Sequence, residues 1–177
     1  YMFTKDRSFR IALVNTLYFT IGVVPITMAI SLGLAILMNK PLKGRTFFRS
    51  VLFFPYVASL VAIAVVWMAL FNPDRGPVNN ILIALGVSKP PRWAASQTWA
   101  LPTIIGLTIW KGMGYYMIVY LAALQGVSRD LYEAASLDGA NKWQQFVNIT
   151  WPCVTPTTFY ILMMLMVSTF KSYDTMY

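Results

Sequence analysis

The chain has 177 residues and a net charge of +8, and 58% of its residues are hydrophobic while only 11% are charged. Because a soluble domain has about 25% charged residues, this composition excludes an ordinary soluble protein and predicts a membrane protein. The basic residues flank apolar segments, so anionic lipid is the expected partner and nucleic acid is not.

Several residue types on which enzymes depend are missing or isolated. The chain has no histidine and one cysteine, Cys153, which removes the commonest general base and zinc ligand and excludes an intrachain disulfide. It has no Gly-rich phosphate loop, and none of its six acidic residues forms a close pair inside an apolar segment. We therefore predict no catalytic residue, no metal site and no cofactor bound by this chain, and we do not expect an enzyme.

Four apolar segments predict an all-α fold, a polytopic bundle of four transmembrane helices that forms a single domain over residues 1–177. The predicted spans cover about residues 11–38, 51–71, 100–124 and 154–170. A helix needs about 20 residues to cross the bilayer core, so the longer first span is expected to tilt or to kink at Pro25. Pro55 is expected to break the second span near its cytoplasmic end.

The loops between the predicted spans differ in charge. Residues 39–50 hold four basic side chains and no acidic one, the densest positive charge in the chain, which predicts a cytoplasmic loop. The total of Lys and Arg on the two sides does not by itself decide the orientation. With this loop inside, residues 72–98 lie outside, where the turn signal NPDRGP precedes an expected short helix over 78–85.

The third predicted span contains Lys111, the only charged residue in the middle of any span. An ionisable residue at that depth is costly and marks a functional site by default. Alternatively, Lys111 extends towards an interface or pairs with a neighbour for structural reasons. Its sequence neighbours are aromatic or small, namely Trp110, Gly112, Gly114, Tyr115 and Tyr116.

The longest polar interruption between strongly apolar segments lies at residues 127–153. Asp130 is predicted to cap a helix, with Glu133 closing a capping box, and Asp138-Gly139 is predicted to end that helix. A second amphipathic run then carries its apolar residues roughly on one face, at Trp143, Phe146, Val147 and Ile149. This element cannot span the bilayer, and we expect it at the membrane surface, where a soluble partner would bind it.

The same stretch resembles the EAA loop of binding-protein-dependent ABC importers. Glu133-Ala134-Ala135 is followed after three residues by Gly139, and nine residues separate Gly139 from Ile149, with Pro152 beyond. Trp151 stands where the family usually has Leu. The resemblance implies a cytoplasmic loop whose helix docks in a cleft of an ATP-hydrolysing subunit, and the implied coupling residues are Glu133, Ala134, Ala135, Asp138, Gly139 and Ala140.

Four further stretches are similar to the carbohydrate branch of that family, which includes maltose, glycerol-phosphate and lactose permeases. These stretches are NTLYFT at 15–20, KGRTFFRSVLFFPYV at 43–57, FNPDRGPVN at 71–79 and WKGMGYYM at 110–117. The resemblance implies the core of a type I (MetI-like) ABC importer permease. That branch has at least six spans, so we expect the four spans here to be the central ones, with one missing at each end.

In maltose-type permeases the sugar lies at mid-membrane against aromatic and polar side chains. Matching motif to motif, the resemblance implies a substrate-binding set consisting of Tyr56, Thr108, Trp110, Lys111, Gly112, Tyr115, Ser168 and Lys171. Sugars need hydrogen-bonding groups and flat aromatic faces in a concave site. Lys111 departs from an uncharged site, and it would either donate to sugar hydroxyls or favour an acidic or phosphorylated sugar.

The resemblance also implies an assembly in a bacterial or archaeal cytoplasmic membrane. Its expected members are this multi-pass subunit, a second and different permease chain, two ATP-binding subunits that hold ATP and Mg, and an extracytoplasmic solute-binding protein. The substrate is expected to be a sugar. Residues 72–98 would either contact the solute-binding protein or serve only as a connector.

Three alternative functions stay open on the sequence. In the first, the chain is an ABC importer permease for a non-sugar solute such as a peptide, phosphate or polyamine. In the second, it is an ATP-independent channel or carrier that uses Lys111 as its charged site, which leaves the EAA pattern unexplained. A purely structural membrane subunit predicts that Lys111, Tyr56 and Tyr115 can be replaced without loss.

Overall fold

The computed structural model describes residues 7–171, and all regular secondary structure in that range is helical. The helices are α1 (Arg7–Asn39), α2 (Arg45–Val57), α3 (Leu60–Leu70), α4 (Pro77–Ala84), α5 (Ala100–Gln125), α6 (Arg129–Leu137) and α7 (Lys142–Lys171). A single 3₁₀ turn, Trp93–Ala95, precedes α5. The predicted all-α fold is confirmed.

Within the described residues, α1, α5 and α7 are each long and apolar enough to cross a membrane. Helices α2 and α3 pass the same test only as a pair, and they meet at an angle of 99°. The second predicted span, over 51–71, is therefore broken, but not at Pro55 as the sequence predicted. The break lies at Ala58 and Ser59, which have ψ angles of 145° and 132°, whereas α2 continues through Pro55.

Helix α7 is longer than the fourth predicted span, because the amphipathic run after Gly139 and the apolar run after it form one continuous helix. A π-helical segment, Phe146–Thr150, lies inside it directly before Trp151. Pro152 lacks an N–H donor, and its ring conflicts with a carbonyl of the preceding turn in a regular α-helix. The wider π turn lies where that conflict would arise, and the chain stays helical through both Pro152 and Pro156.

Helix α5 is the centre of the bundle, since it packs against α1, α2 and α7. Apolar side chains of α1, α5 and α7 form the buried core, and these are Val24, Ala35, Met38, Tyr116, Met117, Tyr120, Leu121, Leu124, Val154, Ile161 and Leu165. The fully buried Ser31 hydroxyl of α1 donates to the Met113 carbonyl of α5 at 3.0 Å. Hydrogen bonds of this kind join helices where water is absent.

The backbones of α2 and α5 approach each other closely at one point. A Cβ atom added to Gly114 of α5 would overlap the carbonyl of Leu52 in α2. Small residues allow such contacts between membrane helices. Gly114 therefore sets the distance between the first half of the broken span and the central helix.

The two predicted loops are ordered by side-chain hydrogen bonds. On the predicted cytoplasmic side, the Arg49 guanidinium donates to the Met38 carbonyl at 3.1 Å, at the carboxyl end of α1, where a cation is favoured. On the other side, Asn79 of the confirmed short helix is buried and donates to the Pro73 and Pro91 carbonyls. It also accepts from Trp93 Nε1 at 2.6 Å.

Gly114→Ala is expected to destabilise the protein, because the added methyl group meets backbone atoms rather than a flexible side chain. Overpacking of this kind costs about 1–3 kcal/mol. The measurement is the midpoint of thermal unfolding of the purified protein in detergent. Gly106→Ala on the same helix is the matched control, since nothing lies within 4 Å of its added Cβ. Equal midpoints for the two variants would contradict the close contact.

Candidate functional site

Helix α6, the first half of the predicted coupling loop, begins earlier than predicted. The Ser128 side chain accepts from the Asp130 backbone N–H at 3.2 Å and caps the helix. The capping box predicted for Asp130 and Glu133 is therefore wrong, because Asp130 is already inside the first turn. Glu133 is exposed on α6, so its carboxylate is accessible to a partner.

The end of α6 lies where the sequence predicted it, at Asp138 and Gly139. Gly139 has a φ of 79°, in the left-handed region that favours glycine. Its N–H bonds the Ser136 carbonyl at 3.2 Å, and the Ala140 N–H bonds the Ala135 carbonyl at 2.9 Å. This pair of bonds is the Schellman termination, so Ala135, Gly139 and Ala140 fix the bend between α6 and α7.

Several apolar side chains of this loop have no cover within the described residues. No residue of α6 is buried, Leu137 is 90% exposed, and Trp143 at the start of α7 is 72% exposed. Glu133, Ala134 and Asp138 are exposed beside them. Exposed apolar groups rimmed by polar ones are typical of a protein interaction surface. All six predicted coupling residues lie on this short segment.

Side-chain hydrogen bonds hold the loop as a helical hairpin. The hydroxyl groups of Tyr132 and Thr150 are 2.9 Å apart, and Gln145 Nε2 donates to Ser136 Oγ at 2.9 Å. Asn141 and Gln144 form a reciprocal capping box at the start of α7. This box was not predicted from the sequence, although Asn followed three residues later by Gln is its ordinary signature.

The structure brings together three residues of the predicted substrate-binding set, from two different elements. The rings of Tyr56 on α2 and Tyr115 on α5 are stacked, with centroids 4.5 Å apart and planes 12° apart. Lys111 Nζ lies 3.0 Å from the Tyr56 carbonyl oxygen and 5.5 Å from the centroid of the Tyr56 ring. Two aromatic faces and an ammonium group thus share one small region.

The position of Lys111 follows from the break between α2 and α3. The last carbonyls of a helix lack intrahelical donors, and Tyr56 is in the last turn of α2. The Lys111 ammonium donates to one of those carbonyls, at the helix end where a cation is favoured. Within residues 7–171, no acidic residue lies on a membrane-spanning helix, so a backbone carbonyl and an aromatic ring take the place of a carboxylate partner.

The other predicted substrate-binding residues lie apart from this group. Trp110 faces Trp67 of α3, with ring centroids 5.9 Å apart. Thr108 donates to the Ile104 carbonyl of its own helix at 2.8 Å. Gly112 lies next to the ring of Tyr116. The last two, Ser168 and Lys171, are exposed in the final turn of α7.

The aromatic environment is larger than the sequence predicted. The ring of Phe53 lies 5.8 Å from that of Tyr56, and Trp67 stacks on Phe71 at 4.6 Å. Phe71 in turn contacts Trp93 at 5.0 Å. The spacings of Phe53 to Tyr56 and of Trp67 to Phe71 are those of helix neighbours. The pairing of Trp67 with Trp110 depends on the bend and has no signal in the sequence.

The residues that the structure describes contain no cluster of three or more potential metal-ligating side chains. What the Lys111 region offers is aromatic surface, backbone carbonyls and an ammonium donor. Stacking surfaces and a few convergent polar groups are the ordinary features of a small-molecule site.

Comparison with known proteins gives relatives among sugar permeases. The chain is 38% identical over 175 residues to the lactose transport system permease protein LacF of Rhizobium radiobacter, covering 98% of this chain and 58% of that protein. It is 33% identical to the arabinooligosaccharides transport system permease protein AraP of Bacillus subtilis, covering 100% of this chain and 57% of that protein. The chain therefore spans a little over half the length of these two relatives.

Solved structures agree with these relatives. The fold is similar to the crystal structure of a bacterial ABC transporter involved in the import of the acidic polysaccharide alginate, with a TM-score of 0.84 and 31% identity over 93% of this chain and 57% of that chain. It is also similar to the alginate transporter in complex with an alginate pentasaccharide-bound periplasmic protein, with a TM-score of 0.83 and 30% identity over 91% of this chain and 56% of that chain. The predicted type I permease (MetI-like) fold is confirmed.

A family model matches almost the whole chain. The model describes the binding-protein-dependent transport system inner membrane component, and it matches residues 13–177. The match covers all but the first residues of α1 and every later helix that the structure describes. The chain therefore belongs to the family of binding-protein-dependent transport system inner membrane components, the permease subunits of ABC transporters.

Proposed function

We propose that this chain is the membrane-spanning subunit of an ATP-driven importer that carries a saccharide inward across the cytoplasmic membrane of a bacterium or archaeon. The observation that carries the proposal is helix α6, which lies between the spanning helices α5 and α7 and has no buried residue. A helix with exposed Leu137 and Glu133 needs a partner. An ATP-hydrolysing subunit on the cytoplasmic side would supply it.

The proposed assembly contains a second, different permease chain, two ATP-binding subunits and an extracytoplasmic solute-binding protein. ATP and Mg²⁺ would be bound by the ATP-binding subunits, where hydrolysis supplies the free energy for transport. This chain would contribute a path and a coupling surface. Residues 72–98 would face the solute-binding protein, and the buried Asn79 would hold that loop in shape.

The coupling surface would work through charge and shape. Glu133 would anchor α6 to a basic group of the ATP-binding subunit, since charge-assisted hydrogen bonds are the stronger ones. Leu137 and Ala134 would fill the docking cleft, and Gly139 would set the angle at which α6 leaves α7. The ATP-binding subunits can shift the permease between its inward-facing and outward-facing states only by binding one of these states more tightly than the other.

The substrate path would pass the Tyr56, Lys111 and Tyr115 group. Stacked aromatic rings offer flat faces for the C–H surfaces of a sugar, and an ammonium group has three donors, of which one is directed to the Tyr56 carbonyl. The named substrates of the three relatives described above are lactose, arabinooligosaccharides and alginate, which favours a saccharide over a peptide or polyamine. The same path would also pass Thr108, Trp110 and Gly112, which lie near this group on α5.

Two variants of the coupling loop test its proposed role in binding the ATP-binding subunits. Glu133→Lys reverses the proposed anchor charge, and Gly139→Pro forces the φ of 79° to a value near −65°, which opens the bend. We expect both to lose capture of the ATP-binding subunits by the full-length permease. The measurement is co-purification in detergent with the second permease chain present.

The chain offers matched controls for both changes on the opposite loop. Asp74→Lys makes the same charge reversal, and Gly86, with a φ of 92°, takes the same proline substitution. Both controls are expected to capture the ATP-binding subunits as the wild type does. Equal capture by all four variants would remove α6 as the docking element.

A loss of aromatic surface tests the substrate path. Tyr115→Ala removes one of the two aromatic faces proposed to contact the sugar, and a lost aromatic contact of about 1 kcal/mol corresponds to an apparent affinity roughly fivefold weaker. The measurement is uptake of radiolabelled lactose, arabinooligosaccharides and alginate oligosaccharides by proteoliposomes that hold the full assembly. Tyr18→Ala, at a residue that is 64% exposed on α1, is the control. Equal affinity for the two variants would exclude Tyr115 from the path.

A further inference from the structure

Helix α6 has little apolar attachment to the rest of the protein. None of its residues is buried, so hydrophobic packing does not hold it against the bundle. Its attachments to α7 are the turn at Gly139 and side-chain hydrogen bonds. A displacement of α6 can reach α7 only through these attachments.

Two side-chain hydrogen bonds join α6 to α7, and one further bond within each helix completes a closed circuit. Gln145 Nε2 donates to Ser136 Oγ at 2.9 Å, and Ser136 Oγ donates to the Tyr132 carbonyl at 2.8 Å. The Tyr132 hydroxyl lies 2.9 Å from Thr150 Oγ1, which in turn lies 3.5 Å from the Gln145 carbonyl. With Thr150 donating to Gln145, the Tyr132 hydroxyl is the donor to Thr150.

Thr150 lies at a particular place in α7. It is 7% exposed, it ends the π-helical segment Phe146–Thr150, and it precedes the part of α7 that enters the bundle, where Val154 is fully buried. A π turn is a local interruption of the regular helix and is frequent at functional sites. Beyond this point α7 packs against α1 and α5.

We infer that the hydrogen bond between Tyr132 and Thr150 is the connection that passes the movement of α6 to the spanning part of α7. The inference rests on the proposed function, since it needs the ATP-binding subunits to move α6. Tyr132 is only partly buried and reaches across the hairpin, so the two hydroxyl groups join the exposed helix to the first buried position of α7. Both are positioning residues and neither contacts a substrate.

Tyr132→Phe and Thr150→Val each remove one hydroxyl group and keep the shape of the side chain. In the full assembly we expect both variants to capture the ATP-binding subunits like the wild type. The fraction of molecules in which α7 moves after ATP binding is expected to fall about threefold to tenfold, the range for losing one hydrogen bond. The double variant should be no worse than either single one, because both remove the same interaction.

The movement is measured without a substrate. Spin labels at Leu13→Cys on α1 and Val167→Cys on α7, both exposed positions, report the distance between the two helices in a Cys153→Ser background. ATP with EDTA, which prevents hydrolysis, is added to the reconstituted assembly, and the fraction of molecules with the shifted distance is recorded. Thr150→Ser keeps the hydroxyl group and should restore the wild-type fraction.

Two controls remove hydroxyl groups that lie outside the circuit. The Thr155 hydroxyl donates to the Trp151 carbonyl of its own helix, and Tyr18 is exposed on α1. Assemblies with Thr155→Val or Tyr18→Phe are expected to show the same fraction of molecules with the shifted distance as the wild type. A full shift in both Tyr132→Phe and Thr150→Val would overturn the inference and leave the proposed function standing. The absence of a shift in a wild type that does capture the ATP-binding subunits would have the same consequence.

Two further outcomes separate the inference from the proposal beneath it. Loss of capture in Tyr132→Phe that matches its loss of movement would make the bond a support for the shape of α6, which overturns the inference and leaves the proposed function standing. A wild-type assembly that fails to capture the ATP-binding subunits would overturn the proposed function, and the inference would be lost with it.

Discussion

A broken helix inside a membrane bundle leaves backbone groups without partners, and the lipid around it has no water to supply them. The break at Ala58 and Ser59 creates this problem at the carboxyl end of α2. The Lys111 ammonium solves part of it, 3.0 Å from the Tyr56 carbonyl. The cost of placing a cation in a span and the cost of breaking a helix there thus offset each other.

This arrangement also positions the aromatic rings. The bend of 99° ends α2 next to Tyr56, so its ring meets Tyr115 on α5, while α3 starts in a new direction that brings Trp67 to Trp110. Gly114 allows α2 to lie close enough to α5 for these contacts. One interruption of the backbone therefore determines the position of both aromatic pairs, and a straight span over the same residues would separate them.

The helices were predictable where an apolar run or a helix-terminating residue marks their position in the sequence. Long apolar runs predicted α1, α5 and α7 as membrane helices, and Gly139 predicted the end of α6 because its backbone angle suits few other residues. The bend was not predictable, since α2 and α3 are both apolar and Pro55 marked the wrong point. Pro152 and Pro156 similarly concealed the continuity of α7. Lys111 was singled out from the sequence by its depth, but its carbonyl partner depends on a tertiary contact.

The hairpin between α5 and α7 shows why a surface helix needs two attachments. Helix α5 ends at Gln125 and α6 begins at Arg129, so a short backbone link joins α6 to the helix that carries Lys111 and Tyr115. Such a link passes on a displacement, but it holds the orientation of α6 less firmly than a second contact away from the link does. The Tyr132 and Thr150 contact is offset from that link and opposes rotation. Together the two attachments would make α6 a lever on both α5 and α7 rather than a tethered peptide.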